Sequence, residues 1–562
     1  MLSDARRVAP GATLRADLCI IGAGAAGITL ARELIGTRSS VIVLESGGLE
    51  HEPETQALYE GRIGGLPYFP LEVARLRFLG GSTNHWGGVC RPFDPLDFET
   101  RDWIPFSGWP ISRRDLDPYY GRAVEIVGLT SDDFSVESWD ERDHQSPLDL
   151  GPDTIPRVAQ LVSYDARSFL RYRDELERAG NLDVQLHANA TEIEIDDAGG
   201  TVTGVEVATL SGNRFSVAAG SFVLAVGGIE NPRLLLASNR RRPAGIGNQH
   251  DLVGRFFTEH PRFDAGVVAP TDADLRVGFY EPHEVDQQEI QGYVAFSPEV
   301  QAAEELVDVQ IFVEPQYEAG FEAALDSEDV DSLRALSRGE GSIGDFGTDL
   351  MNVVADLTTF RDYTVPGAPL PVPYPDVVKE LVESGDDFRA RIPDLFGDVA
   401  ALAYKRVKGT APVDQLTLAT RLDQAPNPSS RVTLTRSRDA LGMPRAEVDW
   451  RLSSIDRRSA ERAIEIAGAG FASAGLGRVR TLLADERGWP DDLAGGYHHI
   501  GTTRMSDDPK RGVVDRNCRV HGTSNLYVAG SSVFATGGSS TPTLTIVALA
   551  LRLAEHLSGA LR

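Results

Sequence analysis

One stretch constrains the fold more than any other: DLCIIGAGAAGITLARELIGTRSSVIVLE, residues 17 to 45. It reads as an apolar strand, a glycine turn, a helix and a second apolar strand. A strand that is apolar at successive positions is buried on both faces, the signature of a parallel sheet. Gly22, Gly24 and Gly27 form an intact G-x-G-x-x-G at the turn. Gly22 permits the tight turn, Gly24 lets a pyrophosphate approach the backbone, and Gly27 lets helix and strand pack closely. Glu45 ends the second strand, where its carboxylate can accept from a ribose hydroxyl. The unit therefore predicts a dinucleotide site. FAD and NAD both remain open at this point.

Nucleotide-domain character returns twice. The segment LDVQLHANATEIEID, which contains Ala190, begins a β-rich part that closes with SFVLAVGGIENPRLLLAS. That closing segment predicts a strand, a glycine turn and a helix capped at Asn231-Pro232. Near the C-terminus, NLYVAGSS predicts another buried strand running into a glycine turn at Gly530 and Ser531. A final helix follows, with Thr541 expected as N-cap and Pro542 and Thr543 opening the first turn. Between these blocks the chain is more acidic and more alternating. SRVTLTRS and AEVDWRLS, joined around Gly442, predict an antiparallel pair. The expected architecture is α/β plus α+β. A discontinuous Rossmann-like domain takes residues 13–105, 182–262 and 495–562. A substrate or cap domain with an antiparallel sheet takes 106–181 and 263–494.

The net charge of −28, from 55 basic and 83 acidic side chains, argues against a nucleic-acid partner, whose phosphates would be repelled. The chain has only Lys379, Lys405, Lys408 and Lys510 as lysines, a bias that fits a GC-rich coding sequence. Cys19, Cys90 and Cys518 are far apart and odd in number, so no disulfide framework or cysteine-based zinc site follows. No run is apolar enough to span a bilayer and no apolar segment follows the N-terminal arginines, so neither an anchor nor a cleaved signal is expected. A reducing, cytoplasmic setting is the default expectation.

Five ordered blocks carry a resemblance: IIGAGAAG…VLESGG, LGGSTNHWGG, VGGIENPRLLLAS, YHHIGTTRM and the final NLYVAGSSVFATGGSSTPTLTIVALALRLAEHL. Together they resemble the glucose–methanol–choline (GMC) family of flavin oxidoreductases. The resemblance implies FAD, an antiparallel sheet over the flavin, and hydride transfer from an alcohol carbon. It places the family's base, a His in a Tyr-His-x-x-Gly-Thr context, on His498, with His499 as helper or packing neighbour. The family's second polar residue, His or Asn, falls on Thr541, a departure. Thr541 cannot act as a base near neutral pH. The loop holding Gly81, Ser82, Asn84, His85, Trp86 and Gly87 is similar to the flavin-linking segment of pyranose oxidases and fructose dehydrogenases. His85 is thus a candidate for covalent attachment to FAD, the alternative being a non-covalent histidine at the isoalloxazine edge. The same blocks look closest to the sugar-oxidising branch, which implies a sugar or glycoside substrate and oxygen or another small acceptor. A non-sugar alcohol or aminocyclitol substrate, a lyase using FAD structurally, and an NAD-dependent dehydrogenase are the competing readings.

Of the other histidines, His51, His144, His250, His283 and His556 are read as surface or packing residues. His260, in FTEHP, is read as structural. No metal site is expected at His498–His499, because adjacent residues rarely chelate one ion. The acidic 300–350 segment is a candidate for assembly, including a homo-oligomer.

Overall fold

The computed structural model describes residues 1–143, 145–317, 413–483 and 488–560. His144, most of the acidic 300–350 segment and the proline-rich stretch near 370 lie outside the described residues.

Strand Thr13–Ile21 is fully buried over Leu18, Cys19 and Ile20 and lies in the parallel part of a sheet. Leu2–Asp4, Leu182–Leu186, Val41–Leu44, Thr13–Ile21 and Arg214–Leu224 run side by side in that order, all parallel. The other edge of strand Arg214–Leu224 serves two further partners along its length. Its N-terminal half pairs antiparallel with Val202–Ala208, itself paired with Asn189–Ile195. Its C-terminal end, Phe222–Leu224, pairs parallel with Leu526–Val528. Three strands from distant parts of the chain therefore end side by side, each in a glycine turn.

The second sheet is antiparallel throughout. Its order is Gly477–Thr481, Arg262–Pro270, Val413–Leu422, Val309–Tyr317, Gln288–Ala295, Ile155–Leu161 and Val89–Cys90. Strand alternation divides its faces. Leu416, Leu418 and Leu422 pack in the core that also holds Ala460, Ala463, Ile464 and Phe471 of helix Ser454–Ser473. Ala419 faces the other way, into a cluster with Tyr293 and Phe312. Arg421 follows it, with its guanidinium 4.8 Å from the Phe312 ring centroid.

The expected domain boundaries do not follow the sheets at three places. Val89–Cys90 joins the antiparallel sheet. The Arg431–Arg438 and Pro444–Trp450 hairpin forms a separate three-stranded sheet with Arg62–Gly65. Its Val432, Val448 and Trp450 bury against Ile229 of the nucleotide part. Helix Asp117–Val127 also buries its apolar face in the nucleotide-domain core, alongside helix Thr543–Ala560. In each case the apolar face found its partner across the chain rather than in its own segment.

Two helix starts differ from expectation. The helix after Leu224 begins at Gly227 and carries Pro232 inside it. Asn231 does not cap it: its side chain accepts from the Val226 N–H and donates to the Ala529 carbonyl and Ser532 hydroxyl. Proline has no N–H, so the Gly228 carbonyl loses its i+4 donor. The Thr502 hydroxyl, from the GTT string, donates to that carbonyl at 2.5 Å. The last helix begins at Thr543, and the Thr541 hydroxyl donates to the Val89 carbonyl rather than capping it. Thr541 therefore ties the helix start to the edge of the antiparallel sheet.

The Pro232–Thr502 match generates a coupled prediction. Thr502→Val should cost about 1–3 kcal/mol by leaving the Gly228 carbonyl buried and unpaired. Pro232→Ala restores the helical donor, so the double variant should recover most of that loss. Denaturant unfolding of the four-member cycle checks it; strict additivity would rule the exchange out.

Candidate active site

The glycine turns build a cradle. Space is open within 4 Å of where a Cβ would stand at Gly24, Gly227 and Gly530, all just beyond the C-terminal ends of neighbouring strands. Helix Ala25–Glu33 starts at Gly24 with no side-chain cap, so its first N–H groups are available to an anion. Gly22 and Gly27 do different work. A Cβ on Gly27 would sit 1.9 Å from the Gly22 carbonyl oxygen, and Gly22 itself has φ +103°. They close the turn so that Gly24 can present its backbone.

Glu45 is buried and accepts from the Ala23 N–H at 3.0 Å and the Gly47 N–H at 2.8 Å. Oε1 also accepts from the Ser46 hydroxyl at 3.3 Å, so Oε2 is the oxygen that retains a lone pair for a ribose hydroxyl. Ala190 sits at the start of strand Asn189–Ile195, opposite Val207. Two residues before it, the Ala188 N–H donates to the Glu45 carbonyl, so Ala190 lies beside the end of the second strand.

The GGSTNHWGG loop docks on this turn. The Gly80 N–H donates to the Ala23 carbonyl, and a Cβ on Gly81 would lie 3.2 Å from the Gly24 Cα. Ser82, Thr83 and Asn84 hold the loop's own shape. The Ser82 hydroxyl accepts from the Leu76 N–H, Thr83 donates to the Gly80 carbonyl, and Asn84 donates to the Leu79 carbonyl while accepting from Ser168. Trp86 donates to the Arg167 carbonyl at 2.9 Å, and Gly87 and Gly88 lead into Val89–Cys90. The side chains of Ser82, Asn84 and Trp86, expected at the cofactor, are thus engaged in holding the loop. His85 follows the short helical turn and is close enough for its charge to be felt at His499.

His498 meets a residue that sequence reasoning assigned to structure. His260 Nδ1 lies 2.6 Å from His498 Nδ1, with ring planes at 79°. The other nitrogen of His260 is 2.5 Å from the Gly538 carbonyl oxygen. Both backbones are pinned to one carboxylate. Glu259 Oε2 accepts from the N–H groups of Gly496 at 2.8 Å, His498 at 3.0 Å and His260 at 3.1 Å. Glu259 Oε1 accepts from the Tyr68 hydroxyl. Burial pushes the Glu259 carboxyl up to about 7, against the pull of those donors.

Burial also keeps the imidazoles neutral. It holds His498 well below the ordinary histidine range, with His260, Arg421 and His499 adding repulsion. It lowers His260 to about 3, assisted by Arg421. His499, brought down to about 3 by burial and by Arg75, stacks on Phe257, and its buried Nε2 has no hydrogen-bond partner among the described residues. Its carbonyl accepts from the Ser531 hydroxyl at 2.7 Å, which ties the histidine doublet to the Gly530 turn. Pro542 accepts the Ile546 N–H, and Thr543 opens the final helix. Glu259, Arg421 and Tyr68 were not foreseen. The only sequence signal for the first was an acidic residue set directly before His260 in an apolar context.

Family models match the chain in two places. Residues 17–322 match the FAD dependent oxidoreductase model and residues 426–550 match the GMC oxidoreductase C-terminal model. The chain belongs to the FAD-dependent oxidoreductases. More narrowly, it is a GMC oxidoreductase, and its cofactor is FAD. An NAD-dependent reading of the βαβ unit is thereby set aside.

Several relatives match nearly end to end. Fructose dehydrogenase large subunit from Gluconobacter japonicus is 23% identical over 98% of this chain and 99% of its own length. Paromamine 6'-oxidase from Streptomyces fradiae is 24% identical over 97% of this chain and 91% of its own. The crystal structure of formate oxidase shares the fold at TM-score 0.51 and 16% identity, covering 98% of this chain and 99% of that one. Among the described residues, no helix is long and apolar enough to cross a membrane, and no group of acidic, histidine and cysteine side chains is disposed to hold a metal.

Glu259 gives the site a sharp test. In Glu259→Gln the amide oxygen can still take the three N–H groups, and Tyr68 can turn to accept, so stability should stay within about 1 kcal/mol. Glu259→Ala strands those donors and should cost about 3 kcal/mol or more. Equal loss in both variants, by thermal or denaturant unfolding, would show that charge rather than hydrogen bonding is what Glu259 contributes.

Proposed function

We propose that the protein oxidises a hydroxyl group of a sugar or glycoside to a carbonyl, with His498 as the base. FAD, when bound, supplies the acceptor for the hydride. His498 takes the hydroxyl proton, and its neutral imidazole is matched to that task. The observation that carries this reading is the state of the His498 ring. Nδ1 is held by His260, whereas Nε2 makes no hydrogen bond to any described residue, and the residue is only half-buried.

The sugar or glycoside assignment rests on the substrates named for fructose dehydrogenase and paromamine 6'-oxidase, two of the relatives that match nearly end to end; another of them is named as a 2-methyl-1,2-propanediol dehydrogenase. A small acceptor, oxygen or another, completes turnover. His85 we propose as the point of covalent attachment to FAD. A cytoplasmic setting is part of the same reading.

Thr541 does not share the proton chemistry in this reading, since its hydroxyl is donated to Val89. His499 acts as a packing neighbour, stacked on Phe257 and tilted against Tyr68.

Anaerobic mixing with a panel of sugars, glycosides and simple alcohols should bleach the flavin with the carbohydrates only. His498→Ala should slow that reduction by about 100-fold or more. A wild-type rate in the variant would remove His498 as base. The acid limb of kcat/KM should lie below 6.5, because a base whose pKa is depressed stays unprotonated as pH falls through the ordinary histidine value. Separately, acid denaturation should leave the flavin on the polypeptide; complete release into the supernatant would exclude the His85 link.

A further inference from the structure

We infer that His260 selects the tautomer of His498, and so decides which of its nitrogens is the base. The inference rests on the proposal that His498 is that base. It starts from the Gly538 carbonyl. A carbonyl oxygen only accepts, so the 2.5 Å contact requires the hydrogen to sit on His260 Nε2. A neutral imidazole carries one N–H, which leaves His260 Nδ1 with a lone pair. The 2.6 Å approach of the two Nδ1 atoms needs one hydrogen between them, and it can come only from His498. His498 is therefore protonated on Nδ1, and Nε2 carries the lone pair.

The surroundings keep this chain of donors one-directional. His260 is 0% exposed, so its ring has no contact with bulk water. A doubly protonated His260 would set two N–H groups head to head at Nδ1, and burial together with Arg421 disfavours that charge. The backbone N–H groups of His260 and His498 share Glu259 Oε2, which fixes the distance between the rings from the main-chain side. When the substrate O–H bond breaks and an Nε2–H bond forms, His498 becomes an imidazolium. Its Nδ1–H still donates to His260. The acceptor is neutral, so it orients the base without adding the strong basicity that a carboxylate partner would confer. His260 is thus a positioning residue; it acts through His498.

Two substitutions separate the halves of this role. In His260→Asn the Oδ1 atom replaces Nδ1 and can accept from His498, but nothing reaches Gly538. In His260→Gln the amide can donate toward Gly538, and the acceptor for His498 moves out of place. His260→Leu removes both. In the holoenzyme, His260→Leu and His260→Gln should lower the rate of flavin reduction by about 10- to 100-fold with KM little changed, a range usual for removal of an orienting partner. His260→Asn should recover most of the rate.

The decisive readout is independent of activity. In 15N-histidine-labelled holoenzyme, the His498 resonances, identified by their loss in His498→Ala, should show a protonated Nδ1 and an unprotonated Nε2. His260→Leu should lose that preference. A wild-type His498 protonated on Nε2 overturns the inference, as does equal activity loss in the Asn and Leu variants at full flavin content. If His498→Ala reduces flavin at the wild-type rate, the base assignment fails instead, while the tautomer measurement still decides the role of His260.

Discussion

One buried carboxylate oxygen joins two loops that are more than two hundred residues apart in the chain. Glu259 Oε2 accepts three main-chain N–H groups, and among the described residues no cation forms an ion pair with it. Burying an unpaired carboxylate is expensive unless hydrogen bonds replace its hydration. Here the replacement comes from backbone amides and the Tyr68 phenol. The arrangement dictates backbone shape: the N–H groups of Gly496 and His498 can converge on one oxygen because Tyr497 between them adopts φ +59°. Converging amides of this kind form an anion nest. A left-handed tyrosine is uncommon, and its ring is held by stacking on Phe69 with centroids 4.0 Å apart. The contact between His260 and His498 follows from that shared oxygen.

Local regularities of the chain are legible in the sequence. The G-x-G-x-x-G turn with its helix and flanking apolar strands depends on neighbours within thirty residues, and each element took its expected form. So did the hairpin around Gly442, with φ +83° at that glycine. What was not legible depends on distant partners. Nothing local in Val89–Cys90 says that it pairs with Ile155–Leu161 rather than the nucleotide sheet. Asn231-Pro232 looks like a helix start, yet the helix begins earlier because Thr502 supplies the hydrogen bond that Pro232 cannot. Ser82 and Asn84 look like ligand contacts because they are polar and flanked by glycines. Their side chains also hold the loop, through Leu76, Leu79 and Ser168, which no local pattern announces.

His260 is the most instructive case. A histidine before a proline in an apolar context reads as a satisfied interior residue, and in one sense it is: both ring nitrogens have partners. The distinction between structural and functional fails because one of those partners is the proposed base. Burial makes His260 neutral, neutrality makes it an acceptor on one side and a donor on the other, and the carbonyl of Gly538 decides which side is which. The same burial that looks like packing is what gives the pair its direction.

The resemblance led to a second histidine or asparagine at position 541, acting beside the base. Thr541 donates to Val89 and serves to fasten the last helix to the antiparallel sheet. Within the proposed mechanism, support for His498 then comes from behind, through Nδ1, rather than from a second group beside the substrate. A base supported only through Nδ1 by a neutral partner has nowhere to share an accepted proton. Desolvation and the nearby Arg421 make the imidazolium a poor resting state. The proton taken from the substrate must leave His498 before the next turnover, and the low basicity of the buried ring favours that release.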